Sequence, residues 1–484
     1  MADRQYNFGM IGLGTMGRNF LLNMADHGYA VAGFDLDISK CELLEKDATK
    51  NTITKGFHAL KDMMKSLEKP RKVMMLVPAG NPVDQVISNL LPLVEPGDII
   101  IDGGNSHYTD TLRRITSLEE KGIHFMGVGI SGGEEGARFG PSIMPGGDMQ
   151  AWKAVQPLLE AVSAKVNGEP CVAYMGKNAA GHYVKMVHNG IEYAIMLMIS
   201  EVYDFLKSRL GLTNEALADV FQKWDTGDMK SYLLEITGDI FQIKDTATDN
   251  FLVDMILDQA GSKGTGKWTS QDAMDLPIAI PCIDMAVAMR DLSDYKDERI
   301  QASKLYQVKS NKIATKKDAL IKDAHDALYF SMVIAYAQGL SMLYQASSKL
   351  KMEIPLNDVV KIWRGGCIIR SNFLDIFYAI FKKSKDNFPN ILLDKNIAKR
   401  IKSKAPGTRR FLRAAIQARV SSSGISSAIN YFDAYTKEKM PVNLVQAQRD
   451  YFGAHTYLRT DKKGIFHSDW KPVTPSEYKD LNKN

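Results

Sequence analysis

Residues 9–17 read GMIGLGTMG. Three glycines in this stretch have the spacing G-x-G-x-x-G: Gly12, Gly14 and Gly17. The strand-like run Tyr6–Ile11 comes just before them, and a helical pattern from about Met16 to Gly28 follows. In that context the glycines permit a tight turn, backbone approach to a pyrophosphate, and close packing of the helix on the sheet. Because the helix N-terminus also attracts phosphates, the stretch predicts a dinucleotide site.

The first third of the chain alternates short apolar runs with amphipathic stretches. Four more runs predict strands: Ala30–Asp35, Val73–Val77, Asp98–Asp102 and Phe125–Ile130. Strand–helix alternation with continuously apolar strands indicates a parallel sheet covered on both faces. This block ends near Lys177, after Cys171–Met175.

Helical periodicity dominates from Asn178 onward. The predicted helical stretches are Asn178–Leu210, Asn214–Gln222, Lys230–Ile243, Phe251–Gln259, Ile283–Arg290, Lys316–Leu350 and Arg409–Ala418. The sequence therefore predicts an α/β Rossmann domain over 1–177, an all-α domain over 178–440 and a C-terminal segment over 441–484. From Gly464 the segment is polar, contains two prolines, and reads as an irregular tail.

Composition and charge exclude several classes of protein. The 484 residues are 45% hydrophobic and 24% charged, with a net charge of +5, which is typical of a globular protein and excludes a disordered chain or a fibre. We expect no membrane-spanning stretch and no secretory signal. The basic residues are interspersed with acids, which argues against a nucleic-acid module. The four cysteines are far apart and the histidines show no ligand spacing, which predicts a reducing, cytoplasmic location and no metal site.

The end of the second predicted strand addresses the choice of dinucleotide. Asp35 follows the glycines by roughly 20 residues, where a carboxylate reads the ribose hydroxyls and repels a 2′-phosphate. Leu36 and Asp37 come next, so no arginine is placed to pair that phosphate. The pattern favours NAD over NADP. The alternative is that Asp35 is only a solvated acid in a loop. The predicted cofactor contacts are Gly12, Leu13, Gly14, Thr15, Met16, Gly17, Asp35, Leu36, Asp37, Val77, Pro78, Ala79 and Asn105.

The stretch Gly181–Tyr193, GHYVKMVHNGIEY, carries a polar stripe within an apolar sequence. The stripe is formed, at helical spacing, by Lys185, His188, Asn189, Glu192 and Tyr193. It is either a solvated helix face or, as we favour, a face directed at a ligand. Burial lowers the pKa of a lysine and raises that of a glutamate, so this pair could divide the roles of base and acid.

Several other motifs are compatible with anion binding. Asp102–Ser106 is DGGNS at a strand end, where ligands bind in open parallel sheets. Ser131, Gly132 and Gly133 form either a backbone N–H cradle for an anion or simply a turn. Gly261–Thr269, GSKGTGKWT, is small, flexible and basic but lacks the Walker spacing. Arg290 and Arg449 are further candidates for phosphate.

Taken together, these motifs resemble decarboxylating 6-phosphogluconate dehydrogenases. The resemblance rests on GHYVKMVHNGIEY, DGGNS, ISGGEEGARFGPSIMPGG, GSKGTGKWT, KDERIQAS, WRGGCIIRS and AQRDYFGAHTY, and it runs from the glycine loop to the C-terminal tail. It implies a homodimer in which the tail threads into the partner subunit. It also implies metal-free oxidation of 6-phospho-D-gluconate to ribulose 5-phosphate and CO2, with NAD or NADP as the cofactor.

The resemblance also implies roles for individual residues. Lys185 would be the general base and Glu192 the acid. The substrate carboxylate and hydroxyls would be held by Asn105, Ser131, Gly132, Gly133, His188 and Asn189. The phosphate would be held by Tyr193, Lys263, Thr265 and Arg290. Arg449 and His455 would reach in from the other subunit, so that the active sites are shared.

The cofactor region departs from the pattern common in that family. The family often has alanine where Gly14 stands, and Asn-Arg-Thr where this chain has Asp35-Leu36-Asp37. The second departure agrees with the expectation of NAD as the preferred cofactor and NADP as the other one. Two alternatives remain open: a β-hydroxyacid dehydrogenase that does not decarboxylate, and a non-catalytic dinucleotide-sensing or scaffold protein. The sequence leaves open whether the activity serves the pentose phosphate pathway or gluconate utilisation.

Overall fold

The computed structural model describes residues 5–307, 316–383 and 388–470. The chain divides into two compact units, with the boundary between Ile429 and Asn430. The first unit contains both the sheet and most of the helices. The predicted domain limits at 177 and 440 are a different division of the chain, and they stay predictions.

The N-terminal part of the first unit is a seven-stranded sheet covered by helices. Its strands are β1 (Phe8–Ile11), β2 (Val31–Phe34), β3 (Thr54–Phe57), β4 (Lys72–Met75), β5 (Ile99–Asp102), β6 (His124–Ser131) and β7 (Ser142–Gly147). Its helices are α1 (Thr15–Asp26), α2 (Ile38–Asp47), α3 (Leu60–Ser66), α4 (Asn81–Leu90), α5 (Tyr108–Glu119), α6 (Gly133–Phe139) and α7 (Met149–Val162). A two-stranded ribbon follows, with β8 (Lys165–Val166) antiparallel to β9 (Glu169–Pro170).

The strand order β3-β2-β1-β4-β5-β6-β7 confirms the Rossmann-type α/β domain. Both faces of the sheet are covered, as predicted: Met74 and Ile101 belong to one apolar core cluster, and Val73 and Met75 to the other. This alternation follows from the period of two along a strand. Because β1, β4, β5 and β6 run parallel, their carboxyl ends lie at one edge of the sheet, where ligands of such sheets bind.

The last strand of the sheet, β7, was not predicted, and it is not parallel to the others. β7 pairs antiparallel with β6, with Ser142 opposite Ser131 and Gly147 opposite Met126. The sequence of β7 is SIMPGG, whose proline and glycines are depleted in strands, so its composition did not predict a strand. The hydrogen bonds to β6 stabilise an extended conformation that the local sequence does not favour.

The rest of the chain is mainly helical, which confirms the second part of the predicted fold. The helices are α8 (Ala180–Asp204), α9 (Asn214–Trp224), α10 (Tyr232–Ile240), α11 (Leu252–Met255), α12 (Thr265–Asp275), α13 (Pro281–Ser293), α14 (Lys296–Tyr306), α15 (Lys317–Lys349), α16 (Leu356–Trp363), α17 (Asn372–Lys383), α18 (Lys395–Ala418), α19 (Ser423–Tyr435) and α20 (Val442–Gly453). A π-helical turn, Phe205–Arg209, prolongs α8. The predicted Asn178–Leu210 helix therefore lies within a few residues of its expected limits.

Two predicted helices differ in extent from the observed ones. The stretch predicted from Arg409 is only the end of α18, which begins at Lys395 and includes Pro406. Proline normally interrupts a helix, so the local sequence does not favour a helix that continues through Pro406. The stretch Phe251–Gln259 forms only the single turn of α11.

Helix α15 bears on the expectation of no membrane span. Within the described residues it is the one helix long and apolar enough to cross a membrane, contrary to the expectation that no stretch would qualify. However, 89% of its most apolar window is buried inside the protein. A helix surrounded by others is apolar on every side because it is part of the core. The absence of a membrane segment stays a prediction.

The second unit contains helix α20 and a short antiparallel hairpin, β10 (Tyr457–Leu458) with β11 (Ile465–Phe466). The carboxylate of Asp450 is buried and accepts bonds from the backbone N–H of Thr456, the backbone N–H of Ser468 and the indole of Trp470. The tail predicted to be irregular from Gly464 is therefore structured up to residue 470. The predicted tail residues 471–484 lie outside the described residues.

Candidate active site

The glycine loop between β1 and α1 is shaped by steric contacts of the chain itself. A Cβ on Gly12, whose φ is +92°, would lie 2.4 Å from the Leu76 carbonyl oxygen, and one on Gly17 would lie 2.0 Å from that of Gly12. A Cβ on Gly14 would meet nothing within 4 Å. The first and third glycines are thus required by the fold, while the second leaves open space beside the first turn of α1. That space and the N–H groups at the start of α1, which have no acceptor within the helix, fit a pyrophosphate.

A cleft of about 380 Å³ lies beside this loop. Among the predicted cofactor residues, it is lined by Gly12, Gly14, Asp35, Leu36, Val77 and Pro78. Two predicted contacts, Met16 and Asn105, instead line a second cavity, which is described below. The side chain of Asp37 caps α2 by accepting the Ser39 N–H at 3.1 Å.

Asp35 is bonded to the loop, so the alternative of a solvated acid is wrong. One carboxylate oxygen accepts the Leu13 N–H at 2.7 Å, and the other accepts the Asp37 N–H at 3.0 Å. Lys40, from the first turn of α2, forms an ion pair with Asp35 at 3.4 Å. No arginine follows β2 directly, and the role of this lysine was not predicted. One helical turn separates it from the loop, and only the fold brings the two together.

The predicted catalytic stripe lies on α8, which crosses the sheet edge at very short range. A Cβ on Gly129 of β6 would lie 2.4 Å from the Cβ of Lys185. A Cβ on Gly146 of β7 would lie 2.2 Å from the backbone nitrogen of Gly181. Glycines on both strands therefore let the N-terminal half of α8 contact the sheet, and this contact fixes the backbone that carries Lys185.

Lys185 and Glu192 lie two helical turns apart and both line the same cavity. Burial lowers the pKa of Lys185, with the nearby Glu192 carboxylate opposing the shift. Burial raises the pKa of Glu192, and Lys185 and Arg290 oppose that shift. Among the residues that the structure describes, the Lys185 ammonium makes no hydrogen bond or ion pair. Its donors are available to a ligand, and the two shifts favour a neutral amine beside a protonated acid.

A chain of hydrogen bonds runs behind the cavity wall. His188 is fully buried and contacts the Ser131 hydroxyl through Nε2 at 3.2 Å and the Asn189 side-chain oxygen through Nδ1 at 3.1 Å. The Asn189 amide in turn donates to the Thr265 hydroxyl at 3.1 Å. Burial, reinforced by Lys185, lowers the pKa of His188 well below its usual value. A neutral imidazole that donates from Nδ1 accepts from Ser131 at Nε2, so the chain orients Ser131, Asn189 and Thr265.

The other end of the cavity is cationic and aromatic. The Arg290 guanidinium lies 3.5 Å from the centre of the Tyr193 ring and donates to the Gly261 carbonyl at 3.2 Å. Thr265 is the first residue of α12, so the stretch predicted to be flexible is helical from that point on. Gly264, in the left-handed region at φ +89°, turns the chain into this helix. A guanidinium, the Lys263 ammonium and a helix start form a combination suited to a phosphate.

The structure brings most of the predicted substrate residues into one cavity of about 600 Å³. Those lining it are Asn105, Ser131, Gly132, Gly133, Lys185, Asn189, Glu192, Tyr193, Lys263, Thr265 and Arg290. His188 lies behind them, bonded to two of them. Arg449 and His455 belong to the second unit, where both line a cleft within that unit. The apolar lining residues Ile130, Met196 and Ile368 carried no sequence signal that distinguished them from core residues.

No group of three potential metal ligands occurs within the described ranges. The expectation of a metal-free site stays a prediction.

Comparisons with known proteins cover nearly the whole chain. A family model described as the NAD binding domain of 6-phosphogluconate dehydrogenase matches residues 7–176, and one for the C-terminal domain of 6-phosphogluconate dehydrogenase matches residues 181–470. The chain is 47% identical over 469 residues to a decarboxylating 6-phosphogluconate dehydrogenase of Lactococcus lactis, covering 96% of this chain and 99% of the relative. It is 47% identical over 464 residues to an NADP(+)-dependent, decarboxylating enzyme of that name from Bacillus subtilis, covering 96% and 98%.

A solved structure of Plasmodium falciparum 6-phosphogluconate dehydrogenase matches with a TM-score of 0.93 and 41% identity. The match covers 96% of this chain and 100% of the other. That protein is described in its apo form, with its cofactor NADP+ and with its substrate 6-phosphogluconate.

Proposed function

The chain belongs to the 6-phosphogluconate dehydrogenase family, an NAD(P)-dependent oxidoreductase family, and on that premise we propose that it converts 6-phospho-D-gluconate to D-ribulose 5-phosphate and CO2. One observation carries the proposal. A buried lysine with a lowered pKa and a glutamate with a raised pKa face one cavity, and the other end of that cavity has the composition of a phosphate site. A sugar acid with a terminal phosphate fits both ends.

The proposed reaction starts at Lys185. A nicotinamide bound beside the cavity would supply the acceptor for a hydride from C3 of the substrate. Neutral Lys185 takes the proton of the 3-hydroxyl as that hydride leaves, which turns C3 into a ketone. The resulting β-keto acid loses its C1 carboxyl group as CO2, and the bonding electrons move towards the ketone oxygen. Protonated Lys185 returns its proton to that oxygen and so gives an enediol.

Glu192 completes the reaction. It donates a proton to the carbon that lost CO2, which becomes C1 of the product, while Lys185 takes back the enol proton. A carboxylic acid can donate at neutral pH only if its pKa is raised, and burial has that effect on Glu192. The two groups therefore act in sequence on neighbouring atoms of one substrate.

We assign the remaining lining residues by their chemistry. Arg290, Lys263, Thr265 and Tyr193 offer donors to the phosphate. The carboxylate and hydroxyls would be held by Asn105, Ser131, Gly132, Gly133 and Asn189, with His188 orienting two of them.

The overall activity is tested by following reduced cofactor at 340 nm together with CO2 release from 6-phosphogluconate. Stoichiometric formation of both supports decarboxylation. Reduced cofactor without CO2 would favour the non-decarboxylating alternative, and neither product would favour the sensing or scaffold alternative.

We further propose that NAD is preferred over NADP. The support is local: Asp35 lines the cleft and Leu36, at 91% exposure, offers no charge to a 2′-phosphate. Lys40 acts in the other direction, but it is paired with Asp35. The named cofactor of the Bacillus subtilis and Plasmodium falciparum relatives is NADP, so this preference would set the chain apart from them.

Exchanging two residues should shift the cofactor preference. We expect Asp35→Asn with Leu36→Arg to change the ratio of kcat/KM for NADP over NAD by about 100-fold in favour of NADP, because it removes a repulsion, frees Lys40 and adds a guanidinium. Asparagine still accepts the Leu13 N–H, so the loop keeps its bond. Leu36→Gln is the matched control without charge and should leave the ratio nearly unchanged. A wild-type protein that already prefers NADP would refute the proposed preference.

We also propose a cytoplasmic homodimer with shared active sites, serving the pentose phosphate pathway or gluconate utilisation. All four cysteines are free and buried, which is compatible with a reducing compartment. The resemblance assigns Arg449 and His455 to the partner's site.

Subunit mixing tests the shared site. Lys185→Met and Arg449→Ala should each be nearly inactive alone. After co-refolding, half of a random mixture is heterodimer and one of its two sites is intact, so about a quarter of wild-type activity should return. No recovery would show that Arg449 acts within its own subunit, and an Arg449→Ala protein that is fully active alone would show that Arg449 has no role.

A further inference from the structure

A buried carboxylate outside the cavity holds two tyrosine hydroxyls. Asp272, on α12, is 5% exposed. One of its oxygens accepts the hydroxyl of Tyr108 at 2.5 Å, and the other accepts the hydroxyl of Tyr183. We call Tyr108, Tyr183 and Asp272 the Asp272 clamp. It joins α5, on the sheet side of the first unit, to α8 and α12 on the helical side.

Aromatic rings enclose the clamp. The rings of Tyr108 and Tyr183 meet edge to face, with centroids 5.1 Å apart. His107 stacks on Tyr108 at 5.1 Å and meets the edge of Trp268, on α12, at 5.0 Å. Burial raises the pKa of both tyrosines, with Asp272 adding to the effect, so their hydroxyls stay protonated and donate. Both oxygens of the carboxylate are therefore used in a dry setting, where hydrogen bonds to a charged group are strong.

Each member of the clamp is close in sequence to a residue that lines the cavity. Tyr108 begins α5, three residues after Asn105. Tyr183 precedes Lys185 by two residues on α8, and Asp272 follows Thr265 by two turns of α12. The loop of Asn105 has its own internal support, because the Ser106 hydroxyl and the Gly104 N–H both donate to Asp102. A rigid loop and two rigid helices thus meet at one carboxylate.

We propose that Asp272 is a positioning residue that sets the distance between the loop of Asn105 and the start of α12 at Thr265. This inference rests on the proposed function, in which one substrate bridges the two. Asp272 does not line the cavity, so it acts through Tyr108 and Tyr183. A shift of about 1 Å in such a span can cost about 100-fold in rate, because the reacting atoms lose their alignment.

The test compares a substrate that spans the cavity with one that does not. In Asp272→Asn, the amide has one acceptor and one donor group, so one tyrosine loses its acceptor. We expect kcat/KM for 6-phosphogluconate to fall by about 30-fold. For gluconate, which lacks the phosphate, kcat/KM should fall by less than about 3-fold, because its binding does not depend on the distance between the two ends of the cavity. The Kd for NADP+ should be unchanged, since the cleft beside the glycine loop is lined by residues between 11 and 89 and does not include the Asp272 clamp.

Two further variants keep the test decisive. Tyr108→Phe removes one arm and should cost about 5-fold with 6-phosphogluconate, again with gluconate nearly unaffected, even if Asp272→Asn folds poorly. Tyr174→Phe is the matched control. It removes a hydroxyl that donates to the Gly147 carbonyl at 2.6 Å, and neither residue lines the cavity. We expect it to leave the kinetics with both substrates unchanged.

Equal losses with both substrates, or no loss with either, would overturn the positioning role. Failure of the wild-type protein to turn over 6-phosphogluconate would instead refute the proposed function itself.

Discussion

Lys185→Met is expected to reduce kcat/KM for 6-phosphogluconate by at least about 1,000-fold, because general-base catalysis contributes about 100- to 10,000-fold and methionine cannot accept a proton. Methionine fills nearly the same volume, so α8 should keep its contact with Gly129. Cofactor binding should stay nearly intact, since Lys185 does not line the cleft beside the glycine loop. Steady-state kinetics together with fluorescence titration of the cofactor measures both effects.

The matched control is Lys177→Met. Lys177 forms an exposed ion pair with Glu353 shortly before α8 and should be dispensable. Substantial oxidation by Lys185→Met would show that the base is a different group.

The lowered pKa of Lys185 also predicts the sign of a pH effect. The amine must be neutral to accept the substrate proton, so kcat/KM should rise with pH as Lys185 loses its proton. Burial places that rise below the ordinary lysine range. A pH profile of kcat/KM checks this direction, and a rise that begins only in the ordinary lysine range would contradict it.

Glu192→Gln is expected to lower kcat by about 100-fold or more, because glutamine cannot donate the final proton. Hydride transfer comes earlier in the proposed sequence and should stay fast. Rapid mixing should therefore show a burst of about one reduced cofactor per active site, followed by slow turnover.

A control on the same helix separates acid catalysis from loss of a buried carboxylate. Glu201 accepts bonds from Ser423, Gly424 and Ile425 at the start of α19, and burial raises its pKa to about 7. Glu201→Gln should alter stability but give no burst. A Glu192→Gln variant that turns over slowly without a burst would mean that Glu192 acts before or during hydride transfer.

The local sequence predicted the elements whose patterns are dictated by their own neighbours. The glycine spacing at 12, 14 and 17 indicated the turn, and Gly12 and Gly17 are indeed required by steric contact. The polar stripe from Lys185 to Tyr193 indicated a helix with a functional face, and α8 presents most of it to one cavity. The turn and the helix were predicted correctly because the period of a helix and the space required by a Cβ are local properties, whereas the function of the face stays a prediction.

Other features depended on partners distant in sequence. Strand β7 forms against composition because β6 supplies its hydrogen bonds. Lys40 pairs with Asp35, and Asp35 with Leu13, only because two loops meet at one sheet edge. The spacing to the glycines singled out Asp35, but nothing in the local sequence indicated that Lys40 would pair with it.

The sequence by itself determined the alternation of strands and helices in the first third of the chain, the dinucleotide loop and the type of side chains that α8 carries. Only the tertiary structure decided the pKa directions of Lys185 and Glu192 and the joining of Asp272 to Tyr108 and Tyr183. The physical reason is that desolvation and hydrogen bonding depend on which groups exclude water from a side chain. Those groups come from elements up to 164 residues apart, as in the bond between Tyr108 and Asp272.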